Sequence, residues 1–227
     1  MFDAIAPRYD LLNHVLSAGI DRRWRAKAIR SLGLTGRETL LDVCTGTADV
    51  ALEARQGSSQ ATHAARVVGV DFAPAMLAFG RRKVRDAREE SRIALVRGDA
   101  ASLPVRDGSV DAVTVAFGIR NVQRPERACA EMARALRRGG RLAILEFGVP
   151  RIPGISRLYL WYFKYLLPRV GRVVSGHTAA YSYLPASVGT FPPPPVFMAM
   201  LEQAGFTRIR ADSLTFGIVY LYMAEKR

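Results

Sequence analysis

The 227-residue chain is poor in the residues that build disulfide or metal frameworks. Its two cysteines, Cys44 and Cys129, form no CxxC pair, and its three histidines, His14, His63 and His177, are scattered. This spacing argues against a disulfide scaffold or a zinc cluster, so no metal is expected and a reducing, cytoplasmic setting is. Uninterrupted apolar runs fall short of the roughly 18–20 residues a membrane span requires. The opening residues, MFDAIAPRYD, carry no basic leader ahead of an apolar core, so no export signal is expected. Acidic residues are scarce beside basic ones, 20 against 33, which leaves a formal charge of +13. Such a balance suits an anionic surface, either nucleic acid or acidic lipid, and equally a solvated basic shell. The glycine fingerprint GxGxxG, which lets backbone lie against a pyrophosphate, is also missing.

What is present is a regular alternation of strand and helix patterns from Thr39 to Phe147. Strands are predicted at TLLDV, RVVGV, IALVRG, SVDAVTVAF and RLAILEF. Helices are predicted over Asp49–Arg55, from Pro74, and from Pro125 to Arg138, with Gly139-Gly140 beyond the last. In the second of these, Met76, Leu77, Gly80 and Val84 make the inner face; Arg81, Arg82, Lys83, Arg85 and Arg88 make the wet one. Strands built from runs of Val, Ile, Leu and Ala imply an α/β fold with a mostly parallel sheet covered by helices on both faces. A helix over Val196–Ala204 and an alternating tail from Gly205 are expected to complete the sheet with an antiparallel hairpin. The chain reads as a single domain, 1–227, with a helical cap at 1–36 and a less regular substrate or lid insert at 151–195. In the cap, Trp24, Ala28 and Leu32 keep helical spacing, and Tyr9 would bring a hydroxyl to the site if the cap acts as a lid.

The stretch Leu40–Val50, LLDVCTGTADV, has the form of a strand, a tight turn and a helix start, an arrangement that suits a nucleotide-like ligand. Asp42 ends the strand and Gly46 centres the turn. Asp71 ends the next apolar run, one strand–helix–strand unit later, well placed to take a ribose diol. Asp99, in GDAASLP, can accept from an adenine amine while the Ala100 N–H reaches a ring nitrogen. A single glycine offers no pyrophosphate cradle, and Asp42 is awkward beside phosphate but suits an ammonium group. Acids following three successive strands on the carboxyl rim point to S-adenosylmethionine.

At this point the chain resembles the ubiquinone/menaquinone biosynthesis C-methyltransferases, a family of class I S-adenosylmethionine-dependent methyltransferases. The matching stretches are FDAIAPRYDLLNHVLSAGIDRRWR, LDVCTGTADVA, VDFAPAML, GDAASLP, VAFGIRNV, LRRGGRLAILEFGVP and YSYLPASV. The opening stretch and FGIRN are the more specific of these. The resemblance implies a Rossmann-like seven-stranded sheet and cofactor contacts at Thr47, Asp71, Asp99 with Ala100, and Ala116. Many relatives have Ser at this last position, so only backbone contact is expected there. Cys44 and Ala48 stand where many methyltransferases have Gly.

The implied reaction methylates a ring carbon of a polyprenylated quinol, demethylmenaquinol or its ubiquinone-pathway counterpart. Its hydroxyl must become phenolate-like, and a phenol with a pKa of about 10 needs help near neutrality. Arg120 and Asn121 in FGIRN are the candidate catalytic pair: Arg120 to stabilise the phenolate or hold a water, Asn121 to bind a quinol oxygen. His177 and Tyr181 are further substrate candidates from the insert. Leu158, Trp161, Tyr162 and Tyr165 share a helical face among Arg157, Lys164 and Arg169, which suits peripheral contact with the inner membrane face. A homodimer is a further partner expectation. A methyltransferase acting on RNA or another small molecule is the alternative. The RNA reading rests on charge alone and lacks clearly interleaved basic and aromatic residues, so no nucleic acid partner is expected.

Overall fold

The apolar run Thr39–Val43 forms β1, an interior strand of a seven-stranded sheet. The structure, a computed structural model, describes residues 17, 19–56, 63–150, 154, 157, 161 and 187–227. Around β1 the elements run α1 (Asp21–Ser31), α2 (Asp49–Gln56), β2 (Arg66–Asp71), α3 (Pro74–Asp86), β3 (Ile93–Arg97) and β4 (Val110–Ala116). They continue with α4 (Pro125–Ala135), β5 (Leu136–Phe147), α5 (Pro194–Gln203), β6 (Phe206–Leu214) and β7 (Val219–Lys226). The strand order is β3-β2-β1-β4-β5-β7-β6. The first five strands pair in parallel, and β7 runs antiparallel to both β5 and β6. This is the Rossmann-like sheet with a terminal hairpin that the sequence predicts. The order reverses between β1 and β4, and a crevice opens outside the carboxyl ends of strands at such a point.

Alternate residues of each strand feed two cores. Leu41, Val43, Val113, Val115 and Ile144 pack with Met132 of α4 and Phe197 and Leu201 of α5. Leu40, Val67, Ala112 and Leu145 pack with Trp24 of α1, Ala51 of α2 and Val84 of α3. With both faces buried, the central strands tolerate little polarity, which is why they read as nearly continuous apolar runs. Helix α3 buries Met76, Leu77, Gly80 and Val84, as its spacing predicts, and carries Pro74 in its first turn.

One predicted boundary is corrected. Helix α4 stops at Ala135, not Arg138, because Leu136 turns extended (ψ 139°) and pairs with Val110. The next pairing is Ala112 with Arg141, so residues 137–140 bulge out of β5. Arg137 reaches across the bulge to Asp111 at 2.7 Å, and Gly139 takes φ +71°. Gly139-Gly140 thus serves a strand bulge rather than a helix end. At the end of β4, Phe117 leaves the strand with φ +58°. Most of the insert at 151–195 and the first sixteen residues of the cap lie outside the described residues. No helix among the described residues is long and apolar enough to cross a membrane.

Candidate functional site

The loop after β1 is wound tightly. Cys44, Gly46 and Ala48 all lie in the left-handed region, at φ 56°, 55° and 66°. For a residue with a side chain this costs roughly 1–2 kcal/mol, so other contacts must hold the turn. The Thr45 N–H donates to the Val70 carbonyl (3.0 Å) and the Ala48 N–H to the Thr45 carbonyl (2.9 Å). The Thr45 hydroxyl donates to Asp42 at 2.6 Å. Asp71 closes the arrangement: one carboxylate oxygen accepts the Gly46 N–H and the other the Ala73 N–H, both at 2.8 Å. A single carboxylate therefore joins the loop after β1 to the loop opening α3.

These loops border a cavity of about 410 Å³ on the carboxyl rim, and Gly46, Asp71, Asp99, Ala100, Ala116 and Asn121 are among its lining. Asp99 accepts the Ala101 N–H at 2.8 Å, which turns the loop after β3 toward the cavity. The volume falls within the range of roughly 300–1,000 Å³ common for small-molecule sites. The donor set is compatible with S-adenosylmethionine: two acids, Asp71 and Asp99, line the cavity, and the turn after β1, with Gly46 alone, is no glycine-rich phosphate cradle. Cys44, already singled out in the turn, lines the cavity as well, and so do Phe72, Phe117, Gln123 and Arg124, which are not among the sequence candidates. Phe72 had a signal, an aromatic side chain directly after the rim acid, and it is 71% exposed. Gln123 and Arg124 had none, being polar residues in an irregular segment.

Three candidates are not part of the lining. Asp42 is buried between Gly69 and Thr114 in the register of β1. Thr47 is buried at the entrance to α2, its hydroxyl 3.5 Å from the Lys83 ammonium. Lys83 also pairs with Asp49, which pairs with Arg25 at 3.2 Å, so an ionic chain ties α1, α2 and α3 together behind the turn. The third is Arg120, whose guanidinium is turned onto Glu146 at 2.7 Å and onto the Phe117 carbonyl. Tyr9, His177 and Tyr181 lie outside the described residues.

Burial pushes the Asp42 carboxyl up to about 7; the Thr45 hydrogen bond opposes this, and the charges of Asp71 and Asp49 add to it. The folded chain then keeps a proton that the unfolded chain releases near 3.8. Stability from this group is lost as pH rises between those two values and is flat above them. The ligand-free Asp42→Asn variant should therefore lose less stability than the wild type between pH 4 and pH 7.5, as read from urea midpoints.

The motif FGIRN meets the turn directly. A Cβ on Gly118 would lie 2.3 Å from the Cys44 Cβ, and both atoms are fixed to backbone. Gly118→Ala is expected to displace the turn at an overpacking cost of about 1–3 kcal/mol, seen in calorimetry as weaker cofactor binding. Adding Cys44→Gly removes the obstructing atom and should recover most of that affinity.

Similarity to known proteins agrees with this geometry. The profile of the ubiE/COQ5 methyltransferase family matches residues 1–226. The ubiquinone/menaquinone biosynthesis C-methyltransferase UbiE of Geobacter sp. (strain M21) is 47% identical over 226 residues, spanning 100% of this chain and 94% of that protein. The demethylmenaquinone methyltransferase of Thermus thermophilus is 44% identical over 226 residues, spanning 100% of both chains. Among solved structures, the methyltransferase in complex with the Haloferax volcanii Trm112 activator superposes with a TM-score of 0.68 at 17% identity, covering 99% of this chain and 96% of that one. A SAM-dependent methyltransferase from Thermotoga maritima gives 0.66 at 18% identity, covering 100% and 98%. Likeness at these identities speaks to the fold alone.

Proposed function

The chain belongs to the ubiE/COQ5 methyltransferase family and is an S-adenosylmethionine-dependent quinone-ring C-methyltransferase; from this premise we propose that it methylates a polyprenylated quinol held against Asn121. The observation that carries the reading is one cavity whose lining includes Asp71 at the end of β2, Asp99 after β3 and Asn121 after β4.

The cofactor supplies an already activated methyl group, so the protein's work is alignment and control of one proton. Asp71 receives the ribose hydroxyls, and Asp99 with the Ala100 N–H receives the adenine edge. Phe72, beside them on the rim, offers an apolar face to the same ring. Ala116, at the end of β4, contributes backbone alone. Asn121 binds a quinol oxygen and so sets which ring carbon faces the methyl donor. Asp42 and Thr47 act from behind, by fixing the turn that Gly46 occupies.

A lipid-tailed quinol has to be collected from a bilayer, which gives the basic surface a use. Arg97 lies 5.8 Å from the ring of exposed Phe72, and Arg82 lies 5.3 Å from that of Phe79. Val96, 37% exposed, and Trp161, 52% exposed, add apolar contact. A cation near anionic lipid contributes about 1 kcal/mol. This supports peripheral membrane contact, checked by flotation with phosphatidylglycerol vesicles and its loss at high salt.

The function is tested by mass spectrometry of the lipid quinones of a deletion strain. The expected result is a major quinone lighter by one methylene, restored by the wild-type chain. An unchanged quinone pool overturns the assignment.

A further inference from the structure

Resting on the proposed quinol reaction, we infer that Glu146 is a positioning residue for methyl transfer: it holds Arg120 behind the cavity wall so that the turn from Phe117 to Asn121 presents Asn121 to the substrate. Glu146 is the penultimate residue of β5, and its side chain is fully buried. One carboxylate oxygen accepts from the Arg120 guanidinium at 2.7 Å and from the Phe147 N–H at 2.8 Å. The other accepts the Arg120 backbone N–H at 3.2 Å. The guanidinium also donates to the Phe117 carbonyl and, at 3.3 Å, to the Ser187 hydroxyl, and it lies 5.3 Å from the Phe147 ring centroid. These contacts tie three chain segments to the turn; Asn121, which lines the cavity, has its side-chain amide 3.5 Å from the same Phe117 carbonyl that Arg120 holds.

Burying two charges is a poor way to gain stability, since a well-packed apolar pair often does as well or better. What the pair adds is direction. Its hydrogen bonds fix both the start of the turn, at Phe117, and its Arg120 N–H, the residue before Asn121. The pair is also neutral as a whole, and it lies close enough to the Cys44 thiol in the cavity wall for both charges to act on it. Removing the negative member turns an uncompensated cation toward the quinol.

Glu146→Gln preserves volume and one acceptor but deletes the charge. With saturating substrates, kcat should fall about tenfold or more, the scale a small misplacement can reach, while the dissociation constant for S-adenosylmethionine changes less than about threefold. The acid limb of the kcat–pH profile should move to lower pH, because Arg120 then favours the ionised quinol. Glu146→Asp, which keeps the charge but shortens its reach, should return the limb to its wild-type position. A second readout needs no turnover. The charged groups acting on Cys44 are Asp42, Asp71 and Glu146, which raise its pKa along with burial, and Arg120, which lowers it. In Glu146→Gln the thiol should therefore be alkylated faster than in the wild type at one fixed, mildly alkaline pH. Unchanged kcat, or a parallel loss of kcat and cofactor affinity with neither the acid limb nor the alkylation rate moved, overturns the inference. Failure of the wild type to methylate any quinol would overturn the proposed function instead, and the alkylation rate at fixed pH would still report on Glu146.

Discussion

Asp71→Ala is expected to weaken S-adenosylmethionine binding by at least about a hundredfold, or about 3 kcal/mol at 1.4 kcal/mol per decade, with kcat at saturating cofactor changed far less. Two losses add. The first is internal: the N–H groups of Gly46 and Ala73 lose the carboxylate that accepts them both at 2.8 Å. An orphaned donor costs about 1–3 kcal/mol where water cannot replace its partner, and the turn after β1, with Cys44 and Ala48 left-handed, then keeps only the bonds made by Thr45 and Ala48. The second is the ribose diol, which loses an ionised acceptor; bonds to charged groups contribute about 1.5–3 kcal/mol. Asp71→Asn separates the two. Its amide offers one acceptor oxygen and one NH₂, so one of the two backbone N–H groups faces a donor. It should recover only part of the affinity. Asp99→Ala is the smaller case, since Asp99 orders only the Ala101 N–H within its own loop. Isothermal calorimetry on the three variants checks the order wild type, Asp99→Ala, Asp71→Ala. Equal affinities for Asp71→Ala and Asp99→Ala would remove Asp71 from its bridging role.

The acids of this rim were legible because local pattern places them. Asp71 ends the apolar run of β2, and Asp99 follows β3; parallel strands put such residues on one edge whatever the loops do next. The buried face of α3 was legible for the same reason, a period of 3.6 residues carried by Met76, Leu77, Gly80 and Val84. What escaped is set by partners distant in sequence. The end of α4 is decided by pairing of Leu136 with Val110 and by the Arg137–Asp111 ion pair, so Gly139-Gly140 looks like a helix stop until the neighbouring strand is known. The direction of Arg120 is decided by Glu146, 26 positions later. In the sequence that glutamate is one acid in LAILEF, with no periodicity to mark it. The candidate pair Arg120 and Asn121 could be singled out in the motif, but not which of the two faces the cavity.

That difference governs how an Arg120 variant must be read. Arg120→Ala is expected to lower unfolding free energy by about 3–5 kcal/mol, the cost of leaving a buried charge without its partner, against a typical total of about 5–15 kcal/mol. The arginine side chain is 6% exposed and that of Glu146 is 0% exposed, so water cannot take over the vacated contacts. Glu146→Ala should cost a similar amount by stranding the guanidinium. The double variant Arg120→Met, Glu146→Leu removes both charges and fills their volume, and it should recover most of the stability of either single variant, as read from urea midpoints. Arg120→Lys should fall between, because one ammonium can reach Glu146 but lacks the planar fork that also serves the Phe117 carbonyl and the Ser187 hydroxyl. If Arg120 acts on the quinol only through the turn it holds, the refolded double variant regains stability without activity and still binds S-adenosylmethionine with near wild-type affinity. Little stability loss in Arg120→Ala would mean that the guanidinium leaves Glu146 in solution, and direct contact of Arg120 with the quinol oxygen would become the better account of FGIRN.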